Sequence, residues 1–177
     1  VGLDAFDDNG SGADSDGDGD PLTVTEMNGA IAAIGNLVTL ASGAAVRMFS
    51  DGTFNYTTQG AFNALAVGEN ATDSFQYTVE DGQGGSDTAT VTLTITGRND
   101  GPNAVDDAAA ATEAAGASGD VLANDADPDT TDSLQVTEVG GSSLAVGVAT
   151  ATALGGQVTI DGDGGFSYDP AGAFEAL

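Results

Sequence analysis

DGTFNYTTQGAFNAL, at residues 51–65, recurs as DGGFSYDPAGAFEAL at residues 163–177, with 9 of 15 positions identical. LTVTEMNG at residues 22–29 recurs at the same offset of 112 residues, as LQVTEVGG at residues 134–141. A period of this length corresponds to a whole domain, because solenoids and propellers repeat every 20–50 residues or so. The sequence therefore predicts tandem copies of one domain, which suits a spacer or a binding module.

The two copies are predicted to span residues 1–98 and 99–177. Residues 66–97 have no counterpart after Leu177, so we expect the second copy to lack its last strands. We expect the first copy to lack its beginning. The chain is thus interpreted as a window on a longer array.

Alternation of apolar and polar residues indicates β-strands throughout each copy. In TATVTLTIT (88–96) the apolar residues alternate strictly with Thr, and SFQYTVED (74–81) places Phe, Tyr and Val on one face. TFNYT (53–57) and its repeat GFSYD (165–169) each pair two aromatic residues. Further pairs of apolar side chains that face the core are predicted at Leu22 and Val24, and at Leu134 and Val136.

Gly- and Asp-rich turns separate these strands, and a glycine-rich hairpin is expected between Val79 and Thr88. Many short strands without helical periodicity predict an all-β protein built of antiparallel sandwiches. The Ala-rich segment 108–119 is interpreted as a weak edge strand and a loop.

The composition excludes several classes of function. The chain has 28 acidic and two basic residues, a net charge of −26, which argues against nucleic acid and anionic membrane surfaces as partners. Cysteine and histidine are both absent, so disulfides, thiolate metal sites and imidazole catalysis are excluded. No apolar run approaches the roughly 20 residues that a membrane-spanning helix needs.

The acidic residues are clustered along the chain. Fifteen of the 22 aspartates lie in residues 4–20 and 100–132. A halophilic protein spreads acidic residues over its whole surface, whereas a calcium-binding protein gathers them into loops. The clustering favours Ca²⁺, and both explanations can hold in a salt-adapted organism.

Two loops carry carboxylates at every second residue, DSDGDGD (14–20) and DADPD (125–129). Calcium accepts six to eight hard oxygen ligands in flexible geometry, and magnesium is a second choice because it requires a stricter octahedron. The first loop begins like an EF-hand, but Thr25 stands at the twelfth position and strands flank the loop, so an EF-hand is excluded. The predicted ligands are Asp14, Asp16, Asp18 and Asp20 in the first loop and Asp125, Asp127 and Asp129 in the second.

A third acidic concentration surrounds the junction between the copies. In a seven-stranded sandwich the loops collect at two poles, so the loop at 67–73, the linker and the loop at about 124–133 are expected to converge. We predict that Ca²⁺ bridges them and stiffens the joint. The further predicted ligands are Glu69 and Asp73 from the first segment and Asn99, Asp100, Asp106 and Asp107 from the linker.

Three long phrases resemble bacterial cadherin-like repeats, including the VCBS repeats of very large secreted adhesins of the RTX type. They lie at residues 9–29, 67–100 and 119–137, and the resemblance covers nearly the whole chain. The resemblance implies Greek-key sandwiches of the immunoglobulin or cadherin type, arranged head to tail, with Ca²⁺ at the junctions. Arg98 departs from the family's junction phrase, and TTD at 130–132 departs from the usual GD after the Asp triplet.

Three functions remain open. The first is a calcium-stiffened spacer in an adhesin that is secreted or displayed at the bacterial cell surface, with neighbouring repeats of the same chain as its partners. The second is a subunit of an extracellular filament or surface layer, in which other copies donate missing strands. The third is an accessory domain of a secreted enzyme. The chain itself is predicted not to be an enzyme, since adjacent carboxylates such as Asp106 and Asp107 point to opposite faces of a strand.

Overall fold

The chain divides into two compact units, unit 1 at Val1–Arg98 and unit 2 at Asn99–Leu177. The structure, a computed structural model, describes residues 3–7 and 12–174. Both units consist of antiparallel strands, which confirms the predicted all-β class. In this described part, helix occurs as two three-residue 3-10 turns, Ile31–Ala33 and Ser143–Ala145.

Unit 1 contains two sheets. One sheet has the order β1-β5-β4-β3 and the other has the order β2-β6-β7. The strands are β1 Leu3–Asp4, β2 Thr23–Met27, β3 Leu37–Thr39, β4 Ala45–Met48, β5 Thr53–Thr57, β6 Asn70–Glu80 and β7 Ser86–Thr96.

The two longest strands, β6 and β7, form the predicted glycine-rich hairpin. Their register runs without interruption from Asn70 opposite Thr96 to Glu80 opposite Ser86. Asp81 closes the turn, because its Oδ1 accepts the backbone N–H groups of Gln83 at 2.7 Å and of Gly85 at 2.9 Å. The same two hydrogen bonds lower the pKa of the Asp81 carboxyl.

The core of unit 1 lies between its two sheets, where the alternating pattern predicted it. Phe75, Tyr77 and Val79 of β6 are buried, and so are Phe54 of β5 and Val24 of β2. The rings of Phe54 and Phe75 meet edge to face, with centroids 5.3 Å apart and planes at 76°. Aromatic pairs in this geometry stabilise a core beyond the area that they bury.

Unit 2 repeats the first sheet of unit 1. Its strands are β8 Ala117–Asp120, β9 Thr150–Ala151, β10 Gln157–Ile160 and β11 Gly165–Asp169, in the order β8-β11-β10-β9. Ile160 lies opposite Phe166, as Met48 lies opposite Phe54, so the register repeats at the offset of 112 residues. The predicted strand at 165–169 is confirmed, and the end of the Ala-rich segment forms the short edge strand β8.

The predicted strand around Leu134 and Val136 is wrong for unit 2. Residues 132–138 form no strand, although the Val136 N–H still donates to the Gly162 carbonyl at 3.0 Å. The matching segment of unit 1, β2, is a strand because it pairs with β6. In the described part of unit 2 no strand corresponds to β6, so residues 132–138 have no partner for a ladder.

Replacing Phe75 by Ala is expected to destabilise unit 1 by about 3–5 kcal/mol, because it leaves a cavity against Phe54 in a buried core. Urea denaturation of the whole chain, with unit 1 followed by the NMR signals of Tyr56 and Tyr77, measures the effect. Thr92→Ala on the exposed side of β7 is the control, with an expected change within about 0.5 kcal/mol. Equal effects of both changes would contradict the core described here.

Candidate metal centre

Three aspartates of unit 2 come together in the loop after β8. The backbone N–H of Asp129 donates to Oδ1 of Asp127 at 2.8 Å, and the N–H of Asp132 donates to the carbonyl of Asp129 at 3.1 Å. These two turns place one carboxylate oxygen of each residue within 4.8 Å of the others. Among the described residues this is the one group of three acidic side chains with such spacing.

Asp129 is the buried member of this group, with 1% of its surface exposed. Its Oδ2 accepts the backbone N–H of Asp100 at 2.8 Å, whereas its Oδ1 is buried without a hydrogen-bond partner. Burying a carboxylate costs several kcal/mol unless its oxygens are paired. The free Oδ1 beside two further carboxylates therefore marks the position that a cation would stabilise.

The connector, residues 99–107, runs along this loop within unit 2. Asn103 and Ala126 exchange two backbone hydrogen bonds, of 2.8 and 3.2 Å. The Val105 N–H donates to Oδ1 of Asp125 at 2.8 Å, and Nδ2 of Asn124 donates to the carbonyl of Asp106 at 3.2 Å. The loop and the connector are thus joined at several points besides Asp129.

The predicted ligand set of the second loop differs from the observed cluster by one residue. Asp127 and Asp129 belong to the cluster, but Asp125 is directed to the backbone of Val105. Asp132 takes the third place, and it was not among the predicted ligands. In the sequence, Asp132 stood out only as part of TTD at 130–132, which differs from the GD that usually follows the Asp triplet in the family.

The predicted linker residues occupy different places. The Asp100 backbone holds Asp129, and the Asn99 side chain donates to the Asp100 carbonyl at 2.7 Å. Asp106 and Asp107 are exposed and lie outside the group of three. Their role as metal ligands stays a prediction.

The donor set of the cluster fits calcium. Three carboxylates supply hard oxygen atoms, and backbone carbonyls and water can complete a coordination shell of six to eight. Because the chain has no Cys or His, the softer ligands that favour zinc are absent. Asp127, Asp129 and Asp132 are the residues that would hold the ion, and Ca²⁺ would offset two of their three negative charges.

The first acidic loop is not assembled in the same way. Oδ1 of Asp16 accepts the N–H groups of Asp18 at 2.8 Å and of Asp20 at 3.2 Å, which forms a local turn. Asp14 is held separately, since its Oδ2 accepts the hydroxyl of Tyr77 at 2.5 Å. Burial, followed by the hydrogen bond to Asp14, raises the pKa of Tyr77. A metal site formed by all four predicted aspartates stays a prediction.

The sequence suggested that Asp73 lies in the loop at 67–73. In the structure it lies in a strand, because β6 already begins at Asn70. Its Oδ2 accepts the hydroxyls of Ser42 at 2.7 Å and of Tyr56 at 2.8 Å, and so connects the two sheets of unit 1. Glu69 is also engaged inside unit 1, where its Oε2 accepts the N–H of Ala66 at 3.0 Å. Ligation of Ca²⁺ by Glu69 and Asp73 stays a prediction.

The comparisons with known proteins follow this division of the chain. Residues 3–97 match the model of the bacterial cadherin-like domain, which covers more than half of the sequence. The chain belongs to the bacterial cadherin-like domain family. Residues 99–177 match the model of the bacterial Ig domain. A comparison with curated proteins found no match.

The bacterial cadherin-like and Ig domains are structural modules of bacterial surface proteins, and such modules are typically not enzymes. The predicted resemblance to bacterial cadherin-like tandem repeats is therefore confirmed. The narrower assignment to VCBS repeats and RTX-type adhesins stays a prediction. The described residues include no helix that is long and apolar enough to cross a membrane.

The hydrogen bonds of Asp73 predict a pH dependence of stability in unit 1. Burial alone raises its pKa, but the bonds from Ser42, Tyr56 and Ser74 outweigh burial and hold the pKa below its ordinary 3.8. A carboxyl whose pKa is lower in the folded chain stabilises it above the unfolded pKa, and this contribution is lost as the pH falls through the folded pKa. We expect the free energy of unfolding to decrease as the pH drops below about 4, and to decrease less in Asp73→Asn.

Urea denaturation at pH 6, 4 and 3 measures this difference. Asp87→Asn serves as the control, because Asp87 is an exposed carboxylate near the start of the neighbouring strand β7 and makes no contact with Ser42 or Tyr56. The same loss of pH dependence in both variants would contradict a special role for Asp73.

Proposed function

We propose that this chain is a calcium-binding structural spacer of a bacterial adhesin that is secreted or displayed at the cell surface. In this proposal Ca²⁺ binds Asp127, Asp129 and Asp132 and fixes the connector that follows unit 1. The observation that carries the proposal is the buried Asp129, whose Oδ1 lies without a hydrogen-bond partner beside two other carboxylates.

The electrostatic step follows from the charge of the chain. A net charge of −26 opposes a compact state, and each bound Ca²⁺ removes two negative charges where three carboxylates are close together. An ion that binds only the folded state stabilises it by about 2.7 kcal/mol at 100-fold excess over its Kd. This is a large part of the roughly 5–15 kcal/mol by which domains are stable.

Both carboxylate oxygens of Asp129 take part in the proposed stiffening of the connector. Oδ2 of Asp129 holds the backbone N–H of Asp100, while Oδ1 is free to bind the ion. A cation on Oδ1 therefore fixes the carboxylate plane and, with it, the start of the connector. The paired backbones of Asn103 and Ala126 extend this support along the connector. Stiffening of this segment is what a spacer built from tandem modules requires.

The calcium dependence also suits export. Calcium is scarce inside cells and abundant outside them, so a unit that gains stability from Ca²⁺ folds fully only after secretion. The absence of cysteine agrees with this route, because no oxidation step is needed.

Replacing Asp129 by Asn tests the proposed site. In wild-type protein at constant ionic strength, millimolar Ca²⁺ is expected to raise the Tm of unit 2 by about 10 °C or more. Asp129→Asn should abolish most of this rise, yet should be at least as stable as wild type in chelator, because it removes an unpaired buried charge.

Glu138→Gln is the matched control, since it removes one exposed negative charge from the same unit and should keep the full response to calcium. Melting is followed by NMR signals of Tyr168, which report on unit 2. If NaCl at equal ionic strength gives the same rise as CaCl₂, the aspartates act as a solvated acidic surface and the proposal fails.

Stiffening of the connector is tested separately by small-angle X-ray scattering. We expect the spread of interdomain distances to narrow when chelator is replaced by Ca²⁺, and to remain broad in Asp129→Asn under both conditions. Equal flexibility of the wild-type chain with calcium and with chelator would show that the ion, even if it binds, does not act as a joint.

A further inference from the structure

A two-residue turn at the end of β2 holds an asparagine in the left-handed backbone region. Asn28 has a φ of 50° and Gly29 has a φ of 74°. The residues on either side, Met27 and Ala30, exchange two backbone hydrogen bonds, of 3.3 and 3.0 Å. Two central residues with positive φ inside such a pair form a type I′ turn, for which Asn-Gly is a preferred sequence. The first central residue of this turn therefore carries a side-chain amide.

The side chain of Asn28 takes part in the pairing of β2 with β6. Its Oδ1 accepts the backbone N–H of Gln76 at 2.9 Å, and the Asn28 backbone N–H donates to the Gln76 carbonyl at 2.9 Å. Met27, directly before it, is fully buried in the core, whereas Asn28 and Gly29 are exposed. The amide is thus open to water but is held in one orientation by β6.

Unit 2 has the same turn without the amide. Val139 and Ser142 exchange two backbone hydrogen bonds of 3.1 Å. Between them lie Gly140 and Gly141, with φ of 59° and 78°. Gly140 stands 112 residues after Asn28, so the turn forms equally with glycine at this position. The amide is therefore not needed to build the turn, and it marks a chemical difference between the two units.

We propose that Asn28 is a deamidation site whose reaction is gated by the opening of this turn. The backbone N of Gly29 attacks Cγ of Asn28, the new N–Cγ bond closes a succinimide ring, and the Cγ–Nδ2 bond breaks. Nδ2 leaves as ammonia with the proton of the Gly29 N–H. Water then opens the ring at either carbonyl and leaves aspartate or isoaspartate at position 28. Because Gly29 has no side chain, and even a Cβ there would meet no atom within 4 Å, the attacking nitrogen is unobstructed once the turn opens.

The closed turn keeps the two reacting atoms apart. The first central residue of a type I′ turn has a ψ of roughly 30°, which places Cβ and the following backbone N on opposite sides of the Cα–C bond. Cγ of Asn28 is attached to that Cβ and is therefore turned away from the Gly29 nitrogen. The hydrogen bond from Gln76 to Oδ1 opposes rotation of the side chain. The reaction consequently requires that the bonds to Gln76 and those between Met27 and Ala30 open first.

The isoaspartate product makes the opening irreversible. Its main chain runs through Cγ and so adds one methylene to the two-residue loop, which the paired bonds of Met27 and Ala30 do not accommodate. The aspartate product keeps the normal main chain, and its carboxylate can still accept the Gln76 N–H. Either product adds one negative charge to a chain whose net charge is −26. Asn28 thus records how often the end of β2 separates from β6.

The test follows the amide-to-acid conversion at position 28 by peptide mapping and mass spectrometry. A synthetic peptide of residues 22–35 gives the rate in the open state, and the whole chain in native buffer gives the gated rate. We expect the whole chain to convert at least about tenfold more slowly than the peptide, and this factor to follow the hydrogen-exchange protection of the Gln76 amide as urea is added. The other Asn–Gly pair, Asn9–Gly10, lies outside the described residues and is resolved on a separate peptide.

Three variants of the whole chain show whether this turn is the gate. Met27→Ala removes the buried side chain at the base of the turn, and it is expected to speed both deamidation and exchange of the Gln76 amide at least about tenfold. Thr92→Ala, on the exposed side of β7, should change neither rate. Asn28→Gly, which introduces the residue found in unit 2, should retain the turn and gain no acid at this position.

Three results would overturn the proposal. One is conversion of the native chain at the rate of the peptide, which would mean that the turn does not gate the reaction. Another is no conversion in the peptide, which would mean that Asn28 is not a deamidation site. The third is a deamidation rate that stays constant in urea while exchange of the Gln76 amide becomes faster, since the amide would then be lost by direct hydrolysis in the closed turn.

Discussion

A chain with 28 acidic and two basic side chains must satisfy its carboxylates almost entirely without ion pairs. The fold does so mainly with backbone N–H groups, as in the turns at Asp16 and Asp81, and with tyrosine hydroxyls, which bind Asp14 and Asp73. Each of these hydrogen bonds places a negative charge where a neutral donor stabilises it. Among the residues that the structure describes, Oδ1 of Asp129 is the exception, because it is buried and has no donor. That exception connects the electrostatics of the chain to its proposed calcium dependence.

A comparison of the two units distinguishes the features of this fold that depend on nearby residues from those that depend on distant ones. The sheet containing β4 and β5 and its counterpart in unit 2 keep one register and one set of turns, because strand pairs and glycine turns are fixed by nearby residues. Among the described residues, buried hydrophobic side chains occur in unit 1, where β6 and β7 cover that sheet. In unit 2 the proposed calcium cluster is a further source of stability, and it has its own test.

Much of the fold was predictable from the sequence, because period-two alternation is a local signal. TFNYT gave the bounds of β5, and Phe75, Tyr77 and Val79 are buried as expected. The strand at Leu134 was not predictable, because a strand needs a partner that the pattern of one segment does not reveal. For the site, the loop was identified, but not which of its carboxylates lie together. Spacing in sequence suggested Asp125, whereas the turn from Asp129 to Asp132 decides which oxygens meet.

The central claim is that an ion on Asp129 holds the connector. The measurement that tests it most directly is amide hydrogen exchange at Asp100, Asn103 and Val105, in calcium and in chelator at matched ionic strength. The account predicts slower exchange at these three amides in calcium, with the amides of β6 and β7 unchanged. The account would be contradicted if exchange at these three amides did not change with calcium, or if NaCl slowed it equally.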